Sequence, residues 1–147
     1  MSRPIYHSSV QCIIKKDNKI LLLKRQNTNF GNNKYALPGG HLEYTEDIQE
    51  GMARELYEEV GLNIKEDDLH LYKIIKMVDA KGEQTEYINF IFLYEYNNEE
   101  ITNKEPEFCS ELKWFNIEEL PENILSYIPF IFKTNNMLLR YIVDKEE

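Results

Sequence analysis

The 23 residues from Gly40 to Leu62 constrain the fold of this chain more than any other segment. Apolar residues recur there at every fourth position, which is the spacing of one buried helix face; they are Ile48, Met52, Leu56 and Val60. Thr45 stands where an N-cap residue is expected, and Gly61 stands where a glycine commonly ends a helix. The pattern predicts an amphipathic helix between these two residues.

Three acids of this predicted helix share one edge. Glu55, Glu58 and Glu59 are spaced i, i+3 and i+4, so their side chains face the same way and repel one another by a few tenths of a kcal/mol, roughly. A hard divalent cation would remove that cost, and Mg²⁺ prefers oxygen ligands. The acidic edge therefore indicates a metal site, with a solvated acidic surface as the alternative.

Segments on both sides of the helix have the β-branched and aromatic composition of strands. The predicted strands cover residues Ser8–Lys15, Lys19–Lys24, Leu71–Asp79, Glu86–Tyr96 and Leu112–Phe115. Asp17 and Asn18 predict a turn between the first two strands, and residues 80–83 join the third to the fourth. Apolar spacing over Tyr127–Val143 predicts a second helix near the C-terminus. Strands and helices in this order favour an α/β domain with a mixed sheet between helices.

Length and charge narrow the class of protein. A chain of 147 residues fits one domain, and no apolar run approaches the ~20 residues that span a bilayer. The net charge of −9 argues against a stable complex with nucleic acid and against binding to an anionic membrane. Cys12 and Cys109 lack metal-binding spacing, and the N-terminus lacks the apolar core of a signal peptide. We therefore expect a reduced, cytoplasmic protein.

The segment from Gly40 to Leu62 resembles the signature of the Nudix hydrolases, G-x5-E-x7-R-E-U-x-E-E-x-G-U, in which U is aliphatic. Every specified position is filled, by Gly40, Glu46, Arg54, Glu55, Leu56, Glu58, Glu59, Gly61 and Leu62. The preceding residues 35–39 and the later residues 111–115 and 118–121 also resemble this family. The resemblance implies the Nudix α/β/α sandwich, formed by residues 1–147 as a single domain.

The resemblance also implies a ligand set and a reaction. The ligands would be the Gly39 carbonyl and the carboxylates of Glu55, Glu58 and Glu59, holding Mg²⁺, with Mn²⁺ as an alternative. The reaction would be hydrolysis of a nucleoside diphosphate linked to another group, by attack of water on phosphorus. These three acids and Arg54 form the expected catalytic set, because Arg54 would pair with Glu46 or Glu58 and orient the acids.

The general base and the substrate contacts are less sharply indicated. Glu58 is one candidate base, and an acid on the later loop, Glu105 or Glu107, is another. The residues expected to bind substrate are Arg25, Gly40, Glu107 and Trp114. Arg25 ends the second strand and would hold phosphate, with a plain surface role as the alternative; the alternative for Trp114 is a place in the core.

Substrate class is inferred from segments outside the signature. Relatives that act on ADP-ribose usually carry a proline about sixteen residues beyond it, and residues 77–80 contain none. The rest of the chain resembles the MutT-type group of this family. That group acts on a small-molecule nucleotide: it cleaves a normal or oxidised nucleoside triphosphate to a nucleoside monophosphate and pyrophosphate. Hydrolysis of ADP-ribose or another nucleoside diphosphate derivative, and a nucleotide-sensing module without catalysis, are the alternatives. Dimers are common among relatives, so a homodimer is one option.

Overall fold

A computed structural model describes residues 3–79 and 86–143. Eight strands form one mixed sheet in the order β3-β2-β1-β6-β5-β8, with β4 paired to β1 and β7 paired to β2. The strands are β1 His7–Lys16, β2 Lys19–Arg25, β3 Tyr35–Ala36, β4 Gly39–His41, β5 His70–Asp79, β6 Tyr87–Glu95, β7 Cys109–Asn116 and β8 Leu138–Val143. The helices are α1 Ile48–Val60 and α2 Tyr127–Ile131, with 3₁₀ turns at Glu66–Asp68 and Ile117–Glu119. The connection expected at residues 80–83 lies outside the described residues.

Both parallel and antiparallel pairs occur in this sheet. Strand β1 runs parallel to β6 and antiparallel to β2 and β4. The hairpin between β1 and β2 closes with Lys16 opposite Lys19, and Asp17 has a φ of 53°. That conformation suits the two-residue turns that join antiparallel strands, so the turn expected at Asp17 and Asn18 is confirmed.

One helix covers each face of the sheet. On one face Met52, Leu56 and Val60 of α1 are fully buried in a cluster that includes Ile14 of β1. On the other face, α2 contributes buried residues to a cluster that includes Ile13 of β1. Successive side chains of a strand point to opposite faces, so two neighbouring residues of β1 serve two separate cores. This layering confirms the expected α/β/α sandwich.

The first helix begins later than the sequence predicts. Asp47 is the N-cap residue, and its carboxylate accepts a hydrogen bond from the backbone N–H of Glu50 at 2.8 Å. Thr45, the expected N-cap, has a φ of 68° and belongs to the turn that precedes the helix, so that prediction is wrong. Gly61 ends the helix with a φ of 74°, as expected. No helix within residues 3–79 and 86–143 is long and apolar enough to cross a membrane.

The C-terminal helix predicted over Tyr127–Val143 is wrong for most of its length. Helix α2 ends at Ile131, and Leu138–Val143 forms β8, which runs parallel to β5 at the sheet edge. Polar residues between the two elements break the helical pattern, and the open edge of β5 offers hydrogen bonds that an isolated segment lacks. The buried Lys73 of β5 fixes this segment by donating to the carbonyls of Thr134 and Asn136, at 2.8 and 2.6 Å.

Candidate active site

Two adjacent glycines allow α1 to lie directly against β4. A Cβ atom on Gly39 would lie 2.1 Å from the carbonyl oxygen of Val10, and one on Gly40 would lie 2.4 Å from Oε1 of Glu55. A side chain at either position would displace the neighbouring strand or the helix acid. Gly40 thus lets the acidic edge of α1 lie on the backbone of β4, and Gly39 lets β4 lie closely against β1.

Two of the three helix acids meet at this junction. Glu59 accepts a hydrogen bond from the Gly39 backbone N–H at 3.0 Å, and its carboxyl group lies near that of Glu55 in the same cleft. Burial raises the pKa of Glu59 well above its ordinary value, and the charges of Glu55 and Glu105 raise it further. Two carboxylates brought together in this way repel each other, and a cation beside them would relieve that repulsion.

Arg54 holds the acids of the signature in place. Its Nε and one terminal nitrogen donate to the two carboxylate oxygens of Glu46, at 3.0 and 2.7 Å. The other terminal nitrogen contacts Glu55 at 3.0 Å and Glu58 at 3.2 Å. A further bond to the carbonyl of His41, at 3.1 Å, ties the group to β4. The hydrogen bonds from Arg54 lower the pKa of Glu46, so this acid stays ionised and fixes the arginine.

The third helix acid stands apart from the other two. The Glu58 side chain is 46% exposed, whereas that of Glu55 is only 13% exposed. Within the described ranges, no three His, Cys, Asp or Glu side chains converge closely enough to hold a metal ion in this conformation. The donors nonetheless suit a hard cation, because the partly buried carboxylates of Glu55 and Glu59 line one cleft together with Gly39. Glu58 would complete the set after a side-chain rotation, which its exposure permits.

A cleft of about 160 Å³ opens beside the acid pair. It is lined by Leu23, Arg25, Thr28, Gly39, Glu55, Glu59, Glu105, Phe108, Cys109 and Leu112. Arg25 brings the cationic group: its Nε donates to the Phe30 carbonyl at 3.3 Å, and its guanidinium lies 4.4 Å from the centre of the Phe30 ring. The cleft therefore places an oriented arginine near a pair of partly buried acids.

The later loop reaches this cleft through Glu105 and not through Glu107. Burial raises the pKa of Glu105, and the charges of Glu55 and Glu58 act in the same direction. Glu107 is exposed and does not line the cleft; its backbone carbonyl accepts a hydrogen bond from Asn27 at 2.8 Å. Of the two loop acids considered from sequence, Glu105 has the position and environment of an active-site group.

Trp114 lies away from the acids. It belongs to β7 opposite Leu21, and its ring packs on Tyr96 with centroids 5.1 Å apart. The cleft instead contains an aromatic ring that the sequence reasoning missed, Phe108, which is 45% exposed. The only signal for it was its position between Glu105 and Cys109, since nothing in a sequence separates an exposed cleft phenylalanine from a buried one.

Comparison with known proteins places the chain in a family. A model of the NUDIX domain matches residues 5–133, which is most of the chain. The chain therefore belongs to the Nudix hydrolase family, as the signature from Gly40 to Leu62 indicates.

Individual relatives agree with this assignment. The chain is 35% identical over 114 residues to an ADP-ribose pyrophosphatase from Methanocaldococcus jannaschii, an alignment covering 78% of this chain and 64% of that relative. A MutT NUDIX hydrolase from Burkholderia pseudomallei superposes with a TM-score of 0.77 at 23% identity, covering 92% of this chain and 100% of the other. A bifunctional NMN adenylyltransferase/ADP ribose pyrophosphatase from Francisella tularensis, complexed with AMP and a Mn ion, gives 0.67 at 21% identity, covering 90% and 43%. At these identities the two structures establish the fold.

Proposed function

We propose that this protein is a divalent-cation-dependent hydrolase that cleaves a phosphoanhydride bond in a small nucleotide. One observation carries the proposal: the partly buried acids Glu55 and Glu59 share a cleft with the oriented guanidinium of Arg25. The acids suit a cation and the arginine suits a phosphate, and hydrolysis of a phosphoanhydride needs both.

The residues that would hold Mg²⁺ or Mn²⁺ are Glu55, Glu59 and Glu58, together with the Gly39 carbonyl. When bound, the metal neutralises phosphate charge and lowers the pKa of water. The positive charge of the cation would also oppose the burial and the repulsion from Glu55 that raise the pKa of Glu59.

The remaining groups would position substrate and accept a proton. Arg25 would bind a phosphate oxygen, because its guanidinium is already fixed by Phe30. Glu105 is our candidate for the general base, since a raised pKa brings a carboxylate nearer to the pH at which it works. Glu58 would be the base if Glu105 proves dispensable.

ADP-ribose and related nucleoside diphosphate derivatives are the first substrate candidates. Among the described residues that line the cleft, Arg25 is the only cation, against Glu55, Glu59 and Glu105. A diphosphate bridge carries fewer charges than a triphosphate and suits such a cleft better. The 35% identity to an ADP-ribose pyrophosphatase supports the same class.

A nucleoside triphosphate, cleaved to monophosphate and pyrophosphate, is the second candidate. It is favoured by the lack of a proline in residues 77–80, where relatives that act on ADP-ribose usually carry one. We place it second because this signal rests on an absent residue, whereas the first candidate rests on the charges of the cleft.

The test is a Mg²⁺-dependent turnover screen with identified products. The panel holds ADP-ribose, sugar nucleotides, dinucleoside polyphosphates, and normal and oxidised nucleoside triphosphates. Preference for ADP-ribose, giving AMP and ribose 5-phosphate, supports the first candidate; preference for one triphosphate, giving pyrophosphate, supports the second. Tight nucleotide binding with no turnover of any compound, in Mg²⁺ or Mn²⁺, would refute the hydrolase and favour a sensing module.

A further inference from the structure

A second depression lies at the hairpin end of the sheet, outside the candidate active site. It has a volume of about 480 Å³ and is lined by Lys16, Asp17, Asn18, Lys19, Tyr96, Trp114 and Asn116. This volume is within the range of small-molecule sites, roughly 300–1,000 Å³. None of its lining residues lines the cleft beside Glu55 and Glu59.

The two sites lie at opposite ends of one strand pair. In the ladder between β2 and β7, Lys19 lies opposite Asn116 at the hairpin end, and Arg25 lies opposite Cys109 at the cleft end. Six residue steps along a strand correspond to about 20 Å. A ligand in the depression would therefore leave the cleft free.

Two partly exposed aromatic rings line the depression. The rings of Tyr96 and Trp114 lie 5.1 Å apart with an interplanar angle of 47°. The Tyr96 hydroxyl donates to the Glu99 carbonyl, and its backbone N–H donates to Lys15 at 2.8 Å. Trp114 is fixed by its place in the ladder opposite Leu21. Rings held in this way offer a stacking surface that needs little ordering when a flat ligand binds.

The rim of the depression carries positive charge and amide groups. Lys16 ends β1 and Lys19 begins β2. The Lys16 ammonium lies 5.9 Å from the centre of the Tyr96 ring and donates one hydrogen bond to the side-chain oxygen of Asn98. Asp17 is the only acid among the described lining residues. The Asn18 amide donates to Asn116 at 2.9 Å, which keeps the hairpin closed over β7. On a chain with a net charge of −9, this local excess of lysine favours an anion.

We infer that this depression binds a nucleoside monophosphate, with its base on Tyr96 and Trp114 and its phosphate between Lys16 and Lys19. Stacking on aromatic rings accepts any base, and a lysine ammonium acts as a point charge for phosphate. The site would thus select a flat ring that carries an anionic group. Adenosine, which lacks the phosphate, and ribose 5-phosphate, which lacks the base, should both bind more weakly than the nucleoside monophosphate.

The sole tryptophan of the chain lies in this depression, so its fluorescence reports on binding directly. Titration with AMP in chelator, excited at 295 nm, should quench Trp114 saturably. Adenosine and ribose 5-phosphate should bind the wild type with an apparent affinity roughly ten-fold or more weaker than that of AMP. AMP should bind the Lys16→Ala/Lys19→Ala double variant more weakly by a similar factor. That double variant should keep wild-type turnover, whatever substrate the screen identifies.

Matched variants distinguish AMP binding in the depression from a general effect of net charge and from AMP binding in the cleft. Lys65→Ala/Lys133→Ala removes the same charge from exposed positions outside the depression, and should bind AMP like wild type. Trp114→Phe should lose the signal but bind AMP when measured by calorimetry. Lack of a saturable change, equal affinity in Lys16→Ala/Lys19→Ala, or loss of binding in Arg25→Ala would overturn the inference. The readout does not depend on turnover, so failure here would leave the proposed hydrolase intact.

Discussion

The carboxylate of Glu59, near the end of α1, accepts a hydrogen bond from the backbone N–H of Gly39, at the start of β4, at 3.0 Å. This bond joins the last turn of the helix to the strand that precedes it. It also holds the Glu59 carboxyl group against that of Glu55, where burial and like charge raise its pKa. Function and stability therefore compete at this position, and substitutions can separate them.

Glu59→Gln should stabilise the metal-free protein at neutral pH. A carboxyl group whose pKa is raised by folding stabilises the fold fully below its unfolded-state pKa, and that contribution is lost as the pH rises through the folded-state pKa. The wild type should therefore lose stability as the pH rises above about 4.5, the ordinary glutamate value. In Glu59→Gln this loss should be smaller, since an amide does not titrate. Melting curves in chelator from pH 4 to 8 measure the effect.

Added metal should have the opposite effect on the relative stabilities of the wild type and Glu59→Gln. A cation that binds only the folded state raises its stability in proportion to the logarithm of concentration. Mg²⁺ or Mn²⁺ should therefore raise the melting temperature of the wild type and have little effect on Glu59→Gln. An equal rise in both proteins would contradict the assignment of Glu59 as a ligand.

Arg54→Ala should destabilise the protein by about 2 kcal/mol, because hydrogen bonds to charged groups contribute about 1.5–3 kcal/mol. The substitution leaves the poorly exposed carboxylates of Glu46 and Glu55 without their partner. Arg54→Lys keeps the charge but cannot form the paired bonds to Glu46, so its stability should be intermediate. Chemical denaturation at pH 7 distinguishes the three proteins, and equal stability of Ala and Lys variants would mean that charge at this position contributes nothing.

Glu58→Gln should lower turnover by orders of magnitude while the fold survives. Glu58 is the most exposed of the three helix acids, with a side chain that is 46% exposed, so the loss of one charge there has little cost in packing. Turnover in Mg²⁺ and a melting curve should be measured on the same preparation. Full activity with an unchanged melting curve would remove Glu58 from the catalytic set.

Alanine at the two adjacent glycines should have different effects. In Gly39→Ala the new Cβ would lie 2.1 Å from the backbone oxygen of Val10, which cannot move without distorting β1, so we expect a loss of about 3 kcal/mol. In Gly40→Ala the nearest atoms belong to the Glu55 carboxylate, at 2.4 to 2.7 Å. That side chain can rotate away, so the fold should survive while metal-dependent turnover falls. A stable and fully active Gly40→Ala protein would show that the position of Glu55 is not critical.

Phe108→Ala should raise KM roughly ten-fold with little change in kcat, because stacking of a base on an aromatic ring contributes about 1–3 kcal/mol. The ring lines the cleft and is 45% exposed, so its loss should not disturb the core. Phe108→Tyr should keep most of the affinity. Tyr44→Ala is the control, since Tyr44 is 99% exposed and lies outside the cleft. Equal effects of Phe108→Ala and Tyr44→Ala on KM would exclude stacking.

Local rules predicted the ends of some elements and failed for others. Gly61 ends α1 as expected, because a left-handed residue at that position depends only on the helix itself. Thr45 failed as the N-cap because Asp47, two residues later, forms the capping bond instead. The segment Leu138–Val143 failed as a helix because the edge of β5 decides its conformation, and no local pattern contains that edge.

The sequence alone predicts the acidic edge of the candidate site. The order of residues in the chain fixes the spacing of Glu55, Glu58 and Glu59. The helical repeat then places the three acids on one edge of the helix, independently of the packing around it. The comparisons confirm the family that this spacing indicates, while the roles of the individual acids stay predictions.

Only the tertiary structure decided what faces this edge. Arg25, Glu105 and Phe108 line one cleft with Gly39 of β4 and with the helix acids Glu55 and Glu59. Trp114 lies two residues beyond Leu112 of that cleft, toward the hairpin end of β7. Such placement depends on how strands pair across the chain, and contacts between distant residues are fixed by packing and not by local spacing. The sequence therefore determined the kind of site, and the packing of the sheet determined which residues complete it.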